Sequence, residues 1–279
     1  MTLSIKHLSP VGVEVDVDLK DPSTHDDVAR LYEQHGLLVF RNQDLTFEQQ
    51  KTVMARLGPV LEDWTTVGYV SNTRADGILG DSEVSYHSDF MFTSEPGLGN
   101  SLLAVDVQPN KTWTRYASLV NAYRKLPTDL RAKLDGLKGL NLFSSTAEAL
   151  RGRQLLDDYP EDAPRAVHDV LRIDPITKQR VVYVSEQNTA QIVGLDHDES
   201  EAVLAELHNI LLAPENIYEH RWSNGDLVIW ANQAFLHARG GLTPGETRTL
   251  QRVCISNAPA DLYRPPVPDD RLPVAMRTM

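Results

Sequence analysis

The feature that most constrains this fold is the spacing of its short β-prone runs. Residues 13–19 alternate apolar and acidic side chains, as a half-buried strand does. Residues 37–40, 101–107, 180–184, 218–222, 226–230 and 249–256 are further apolar or alternating runs of strand length. Long connections separate them, without the regular intervening helix that a parallel βαβ sheet requires. A mixed, mainly β fold follows: a distorted antiparallel jelly roll, or double-stranded β-helix, with α-helices packed outside it. Helices are expected over residues 21–35, where Asp21, Ser23 and Thr24 offer N-caps and Gly36 a C-terminal stop. Thr46-Phe47-Glu48-Gln49 reads as a capping box that opens a helix ending at Gly58. Residues 127–134, with Pro127 in the first turn, and 198–212 read as two more. Asn224-Gly225 between two strand runs predicts a β-hairpin, because both residues tolerate positive φ.

With 279 residues, 41% of them apolar, the chain can bury a sizeable core. No repeat or Pro/Gly/Ser linker divides it, so one domain is expected over residues 1–279, ending in a proline- and arginine-rich irregular tail from about residue 261. Lys plus Arg number 27 against 39 Asp plus Glu, a net charge of -12, which disfavours nucleic acid and anionic membranes as partners. The single cysteine, Cys254, lies in the run Val253-Cys254-Ile255; it reads as a buried thiol and suits a reducing, cytoplasmic setting. The first ten residues lack the apolar core of a signal peptide, and no run approaches the roughly eighteen apolar residues that span a bilayer. A homo-oligomer is compatible with all of this.

The chemistry is carried by a few polar residues. His87 and Asp89 stand in Ser85-Tyr86-His87-Ser88-Asp89-Phe90, and on a strand such a pair projects from one face. The pattern alone is weak. His25-Asp26-Asp27 and His197-Asp198-Glu199 match it too, but both fall at expected helix starts, where acidic residues favour the helix dipole, and both read as structural. His87 and Asp89 are set apart by the glycine-containing segment 77–80 before them and by Phe90 and Phe92 after them, the makings of a rigid, partly apolar pocket. His237 follows in Phe235-Leu236-His237-Ala238; taken alone it reads as a satisfied core histidine. Arg248 lies eleven residues beyond it. Two imidazoles and one carboxylate on one face of a metal leave three positions free, which is the facial triad of non-haem Fe(II) oxygenases. The arginine points to a second reactant that carries a carboxylate.

Residues 12–256 resemble the taurine dioxygenase family of Fe(II)/2-oxoglutarate-dependent dioxygenases. The family's aromatic-His-x-Asp motif is Tyr86-His87-Ser88-Asp89, and the proline and Leu-rich strand after it resemble residues 96–104. Its distal Trp-x-Asn-x-x-x-x-His is Trp230-Ala231-Asn232-Gln233-Ala234-Phe235-Leu236-His237, followed by arginines at Arg248 and Arg252. The resemblance implies a jelly roll with His87, Asp89 and His237 as the catalytic iron ligands. It also implies 2-oxoglutarate and O2 as co-reactants, and Thr114, Arg248 and Arg252 as cosubstrate-binding residues. Arg252, four residues from Arg248 on the same strand face, would meet the keto acid or an anionic group of the substrate. The implied reaction couples decarboxylation of 2-oxoglutarate to succinate with hydroxylation, or a related C–H oxidation, of a small organic and anionic molecule. Halogenases that resemble this family carry a small residue in place of the carboxylate, so Asp89 favours hydroxylation. Trp64, Tyr69, Glu83 and Phe92 flank the metal motif and are candidate substrate contacts. Two departures stand out: Lys111-Thr112-Trp113-Thr114 replaces the family's Gly-Gly-Asp-Thr, with Thr112 as the fallback for Thr114, and Ala231 replaces an aspartate. The altered loop is the only support for the alternative, a non-catalytic jelly-roll protein that binds metal or ligand.

Overall fold

The chain opens with two antiparallel strands, β1 (Ser4–His7) and β2 (Val13–Asp16). In β2 the valines are buried, while Glu14 and Asp16 lie more open, as the alternation predicts. The computed structural model describes residues 3–61, 67–143, 149–152, 156, 161 and 164–263. A short 3₁₀ turn, Pro22–Thr24, is capped by Asp21 and leads into α1 (His25–His35). Gly36, at φ 68°, ends that helix in the left-handed conformation glycine adopts without strain. The fully buried β3 (Leu37–Phe40) follows. Then comes α2 (Phe47–Ala55), which carries both reciprocal hydrogen bonds of the Thr46/Gln49 capping box and ends three residues before Gly58.

Next come β4 (Val67–Ser71), β5 (Gly77–Leu79), β6 (Val84–His87), β7 (Gly99–Val107) and β8 (Trp113–Ser118). Two short helices follow, α3 (Leu119–Lys125) and α4 (Thr128–Leu134), and Pro127 takes the N-cap position of α4 rather than its first turn. Two small outlying sheets are built from β9 (Lys138–Leu142), β10 (Arg165–Asp169), β11 (Leu171–Ile173), β12 (Arg180–Val182) and β13 (Thr189–Val193). After α5 (His197–Leu211), capped by Asp196, the chain finishes in β14 (Ile217–Arg221), β15 (Leu227–Ala231), β16 (Phe235–Arg239) and β17 (Arg248–Ile255). A 3₁₀ turn, Ala260–Tyr263, closes the described residues, and the rest of the expected tail lies outside them.

Among the described residues, the major sheet has eight strands in the order β1-β2-β3-β15-β7-β17-β4-β5 and the minor sheet four, β14-β8-β16-β6. Successive strands from β14 to β17 alternate between the two sheets, and this back-and-forth is the jelly-roll winding. It also corrects the hairpin expected at Asn224-Gly225. β14 pairs with β8, whereas β15 pairs with β3 and β7. The turn chemistry is as read, since Gly225 sits at φ 81°. Its N–H donates to the Ala104 carbonyl, and Asn224 Oδ1 accepts from the Val107 N–H, so the turn is bound to β7 and carries the chain from one sheet to the other. Burial decides the partner: every residue of β15 is buried, and such a strand belongs between two neighbours. Trp230, Tyr116, Leu236 and Leu250 join the two sheets in one core, and Cys254 is buried. Among the described residues, no helix is long and apolar enough to cross a membrane.

Candidate metal centre and its two chambers

Strand register brings two imidazoles together. His237 of β16 lies directly opposite His87, the last residue of β6, and their ring centroids are 4.0 Å apart. The His87 Nδ1–H donates to the Ser85 carbonyl at 2.8 Å, which leaves the Nε2 lone pair open. Asp89 lies beyond the end of β6, so strand alternation alone does not aim it. A tight turn does, with Phe90 at φ 62°. That turn is fixed by Asn232: its Oδ1 accepts from the Asp89 N–H at 3.0 Å, and its Nδ2 donates to the Asp89 carbonyl at 2.8 Å. Asn100 and Ser88 complete the network, donating to the Asn232 side chain and carbonyl respectively. The Asp89 carboxylate therefore points between the sheets, 3.4 Å from His87 Nε2 and 3.8 Å from His237 Nε2. One ligand atom from each of the three lies within 4.8 Å of the others, a donor set that fits a divalent first-row metal.

Two chambers meet at this triad. The inner one, about 450 Å³ with its opening to solvent, lies between the sheets and is lined by Thr114 of β8, Arg239 of β16, and Arg248 and Arg252 of β17, among others. Arg248 is 2% exposed. Its Nη2 donates to Thr114 Oγ1 at 3.1 Å, and Trp222 Nε1 donates to the same oxygen at 3.0 Å, which leaves the Thr114 hydroxyl proton for another acceptor. Arg248 Nε and Nη1 are buried with no hydrogen-bond partner among the described residues. Buried, unmatched guanidinium donors are costly unless an anion meets them, so the chamber suits the carboxylate end of a keto acid. The outer chamber, about 810 Å³ with its open mouth, is walled by Ile78, Leu79, Phe90, Phe92, Phe143 and Tyr263. Arg252 borders both chambers.

The expected residues fall unevenly around this centre. Thr114 stays beside Arg248 despite the departure at residues 111–113. Thr112 is buried away from the inner chamber's lining. Trp113 faces away from it, stacked under Arg115 and against Gly240, where an added Cβ would come within 2.7 Å of the indole. Phe92 is in the outer chamber, edge-on to Phe143. Tyr69 is not brought there: Val70 takes the inward face of β4, and Tyr69 turns out to pack on Phe47 under Arg74. Glu83 is exposed and lines neither chamber. Trp64 lies outside the described residues. The structure adds Arg239, Phe143 and Tyr263. Arg239 follows His237 by two residues on one strand, a parity signal present in the sequence, whereas Phe143 and Tyr263 reach the chamber from distant segments with no local cue. Of the two other His-x-Asp/Glu matches, His25 hydrogen-bonds the Leu19 carbonyl at the start of α1, and His197 opens α5.

Burial dominates the electrostatics. It pushes the His237 imidazole down to about 3, helped by the adjacent His87, and lowers His168 and His220 as well. Burial alone would raise the Asp89 carboxyl, but the His87 contact and the positive influence of His237, His87 and Arg252 hold it well below the usual range. Burial lowers Arg239 to about 10, and burial with the charge of Arg239 lowers Arg248 well below its ordinary value. Histidines depressed in the folded state are protonated first in the unfolded chain. Their contribution is therefore complete above about pH 6.5 and is lost as pH falls below it, for His237 down to about 3. The depressed Asp89 carboxyl acts in the same direction below about pH 4. The melting temperature of the metal-free protein is accordingly expected to be nearly level above about pH 7 and to fall between about pH 6.5 and about pH 5. Thermal melts across that range check this, and a flat or rising profile would contradict it.

The sequence matches the family described as taurine catabolism dioxygenase TauD, TfdA family over residues 4–254. Pentalenolactone F synthase of Streptomyces avermitilis is 27% identical over 274 residues, covering 88% of this chain and 90% of that one. The alpha-ketoglutarate-dependent 2,4-dichlorophenoxyacetate dioxygenase of Cupriavidus pinatubonensis is 29% identical over 276 residues, covering 88% and 93%. Among solved structures, a taurine dioxygenase from Burkholderia xenovorans superposes with a TM-score of 0.76 at 27% identity, covering 92% of each chain.

Proposed function

This chain belongs to the taurine catabolism dioxygenase TauD, TfdA family and is an Fe(II)- and 2-oxoglutarate-dependent dioxygenase, and we propose that it oxidises a C–H bond of a small acid with an apolar body. In this reading His87, Asp89 and His237 hold the iron, Arg248 and Thr114 hold the distal carboxylate of 2-oxoglutarate, and Arg252 meets the acid group of the substrate. The observation that carries it is the composition of the outer chamber: among the described residues its walls are mainly aliphatic and aromatic, with Ser88, Gln187 and Asn188 as uncharged polar members and Arg252 as the one cation, beside His87 and Asp89. The named substrate of the Cupriavidus relative, a chlorinated phenoxyacetate, is an acid of that kind.

Bound at the triad, iron supplies O2 activation coupled to conversion of 2-oxoglutarate to succinate and CO2. The protein's own contribution is positional. The Ser85 carbonyl fixes the His87 ring with Nε2 toward the metal, and Asn232 fixes the turn that aims Asp89. Arg248 presents its fork and Thr114 its hydroxyl proton to one end of the keto acid, which sets its orientation along the inner chamber. Phe90, Phe92 and Tyr263 keep water from the face where the substrate sits. Tyr263 is itself held by Ser256 and by a hydrogen bond to the Glu95 carbonyl, with its ring 4.3 Å from that of Phe90.

Arg252→Gln tests the substrate assignment. Acids that bind the wild-type protein with Fe(II) and 2-oxoglutarate are expected to weaken by about ten- to a hundredfold in this variant, while 2-oxoglutarate binding holds. Their methyl esters should bind both proteins with similar, low affinity. Esters that bind the wild type as tightly as the acids, or a variant that loses 2-oxoglutarate rather than the acid, would sink the assignment.

A further inference from the structure

The inner chamber holds a buried cation that the reading so far does not use. Arg239 lies two residues beyond His237 on β16, so its side chain projects from the same strand face into the space between the sheets. It is 5% exposed and lines the chamber with Arg248 and Thr114. Its Nη2 donates to the Gly80 carbonyl at 2.7 Å, while Nε and Nη1 are buried with no partner among the described residues. Arg248 has the same two nitrogens unpartnered. Asp89, the only carboxylate in the chamber's lining among the described residues, belongs to the metal end. Two guanidinium groups that share a cavity repel each other; Asp81 offsets Arg239 in part from outside the lining, and an anion placed between the two guanidinium groups would relieve both the repulsion and the unmet donors. A carboxylate has about four lone-pair sites, enough for donors from two guanidinium groups and a threonine hydroxyl.

We propose that Arg239 is a second guanidinium for the distal carboxylate of the keto acid, closing on it from the minor sheet as Arg248 does from the major sheet. The proposal rests on the reading that this carboxylate lies at Arg248. It gives the enzyme a clamp selective for keto acids with a second carboxylate. It also ties cosubstrate binding to the outer chamber, because the Gly80 carbonyl held by Arg239 belongs to the loop after Ile78 and Leu79, two residues of that chamber's wall.

The test compares two ligands that differ only at the distal end. 2-Oxoglutarate and 2-oxopentanoate, which carries a methyl group where the carboxylate stands, are titrated calorimetrically into the protein loaded with Mn(II) in place of Fe(II). Arg239→Met is expected to reduce the preference for 2-oxoglutarate by at least about tenfold, with the affinity for 2-oxopentanoate nearly unchanged. Equal weakening of both ligands would show a merely structural role and overturn the proposal, as would an unchanged preference. Should the methionine variant not fold, Arg239→Lys serves, since it keeps the charge and loses the fork. It is expected to lose part of the preference, and full retention overturns the proposal. Arg248→Met separates the two levels. If it leaves the preference intact, the placement of the keto acid fails altogether; if it removes the preference while Arg239→Met does not, only the second guanidinium fails.

Discussion

Asp89→Ala is expected to bring substrate oxidation to background and to leave the protein folded. The carboxylate supplies the only negative charge among the three proposed ligands, and two neutral imidazoles alone are a poor site for Fe(II). Changes in the groups that merely support metal ligands cost about 10- to 100-fold, so loss of a ligand itself should weaken iron binding by more than about 100-fold. The fold should survive because the scaffold holds the main chain of Asp89, through Asn232, and alanine keeps both of those hydrogen bonds. The metal-free variant should still melt cooperatively, somewhat below the wild type, since the contacts that hold the Asp89 carboxyl ionised are lost. Circular dichroism melts, iron binding and product formation check the three statements. Activity within about tenfold of the wild type would remove Asp89 from the metal site.

Arg248→Met is expected to separate stability from function in opposite directions. Breaking a desolvated charge pair costs roughly 2–5 kcal/mol, so the affinity for 2-oxoglutarate should fall by about thirtyfold to several thousandfold. In the free protein, Arg248 is a buried cation with two unmatched nitrogens, kept there at the expense of stability. Methionine fills much of the same volume without a charge, so the metal-free, ligand-free variant should melt at or above the wild-type temperature. An unchanged KM for 2-oxoglutarate would end the proposed role. A substantial loss of stability would mean that Arg248 already has a structural counter-ion.

The local patterns that read correctly are those whose cause is local. Alternation in β2, the Thr46 capping box of α2 and the left-handed stop at Gly36 all depend on neighbours within a few residues. The proposed ligands His87, Asp89 and His237 could be named from the sequence because their spacing, with Arg248 and Arg252 after them, follows the motifs of the family it resembles, and the fold does bring the three together. Asn224-Gly225 shows where such reading stops: the turn forms, but which strands pair is decided by the burial of β15 on both faces, which no dipeptide encodes. Tyr69 and Glu83 were chosen by nearness in sequence, yet strand parity gives the inward position to Val70 and leaves Tyr69 against α2. The same parity would have found Arg239 from His237. Asn232 was visible as part of a motif, but its work, gripping both main-chain groups of Asp89 across 143 residues, exists only once the sheets are assembled.

The most direct test of the account is an anaerobic titration of the metal-free protein with Fe(II) and then 2-oxoglutarate, followed by visible absorption. Joint binding of iron and keto acid at His87, Asp89 and His237 predicts a weak metal-to-ligand charge-transfer band in the wild type. No such band should form in Asp89→Ala, and in Arg248→Met it should need far more 2-oxoglutarate. A wild-type protein that binds neither iron nor keto acid, or a band that persists unchanged in Asp89→Ala, would contradict the site proposed here.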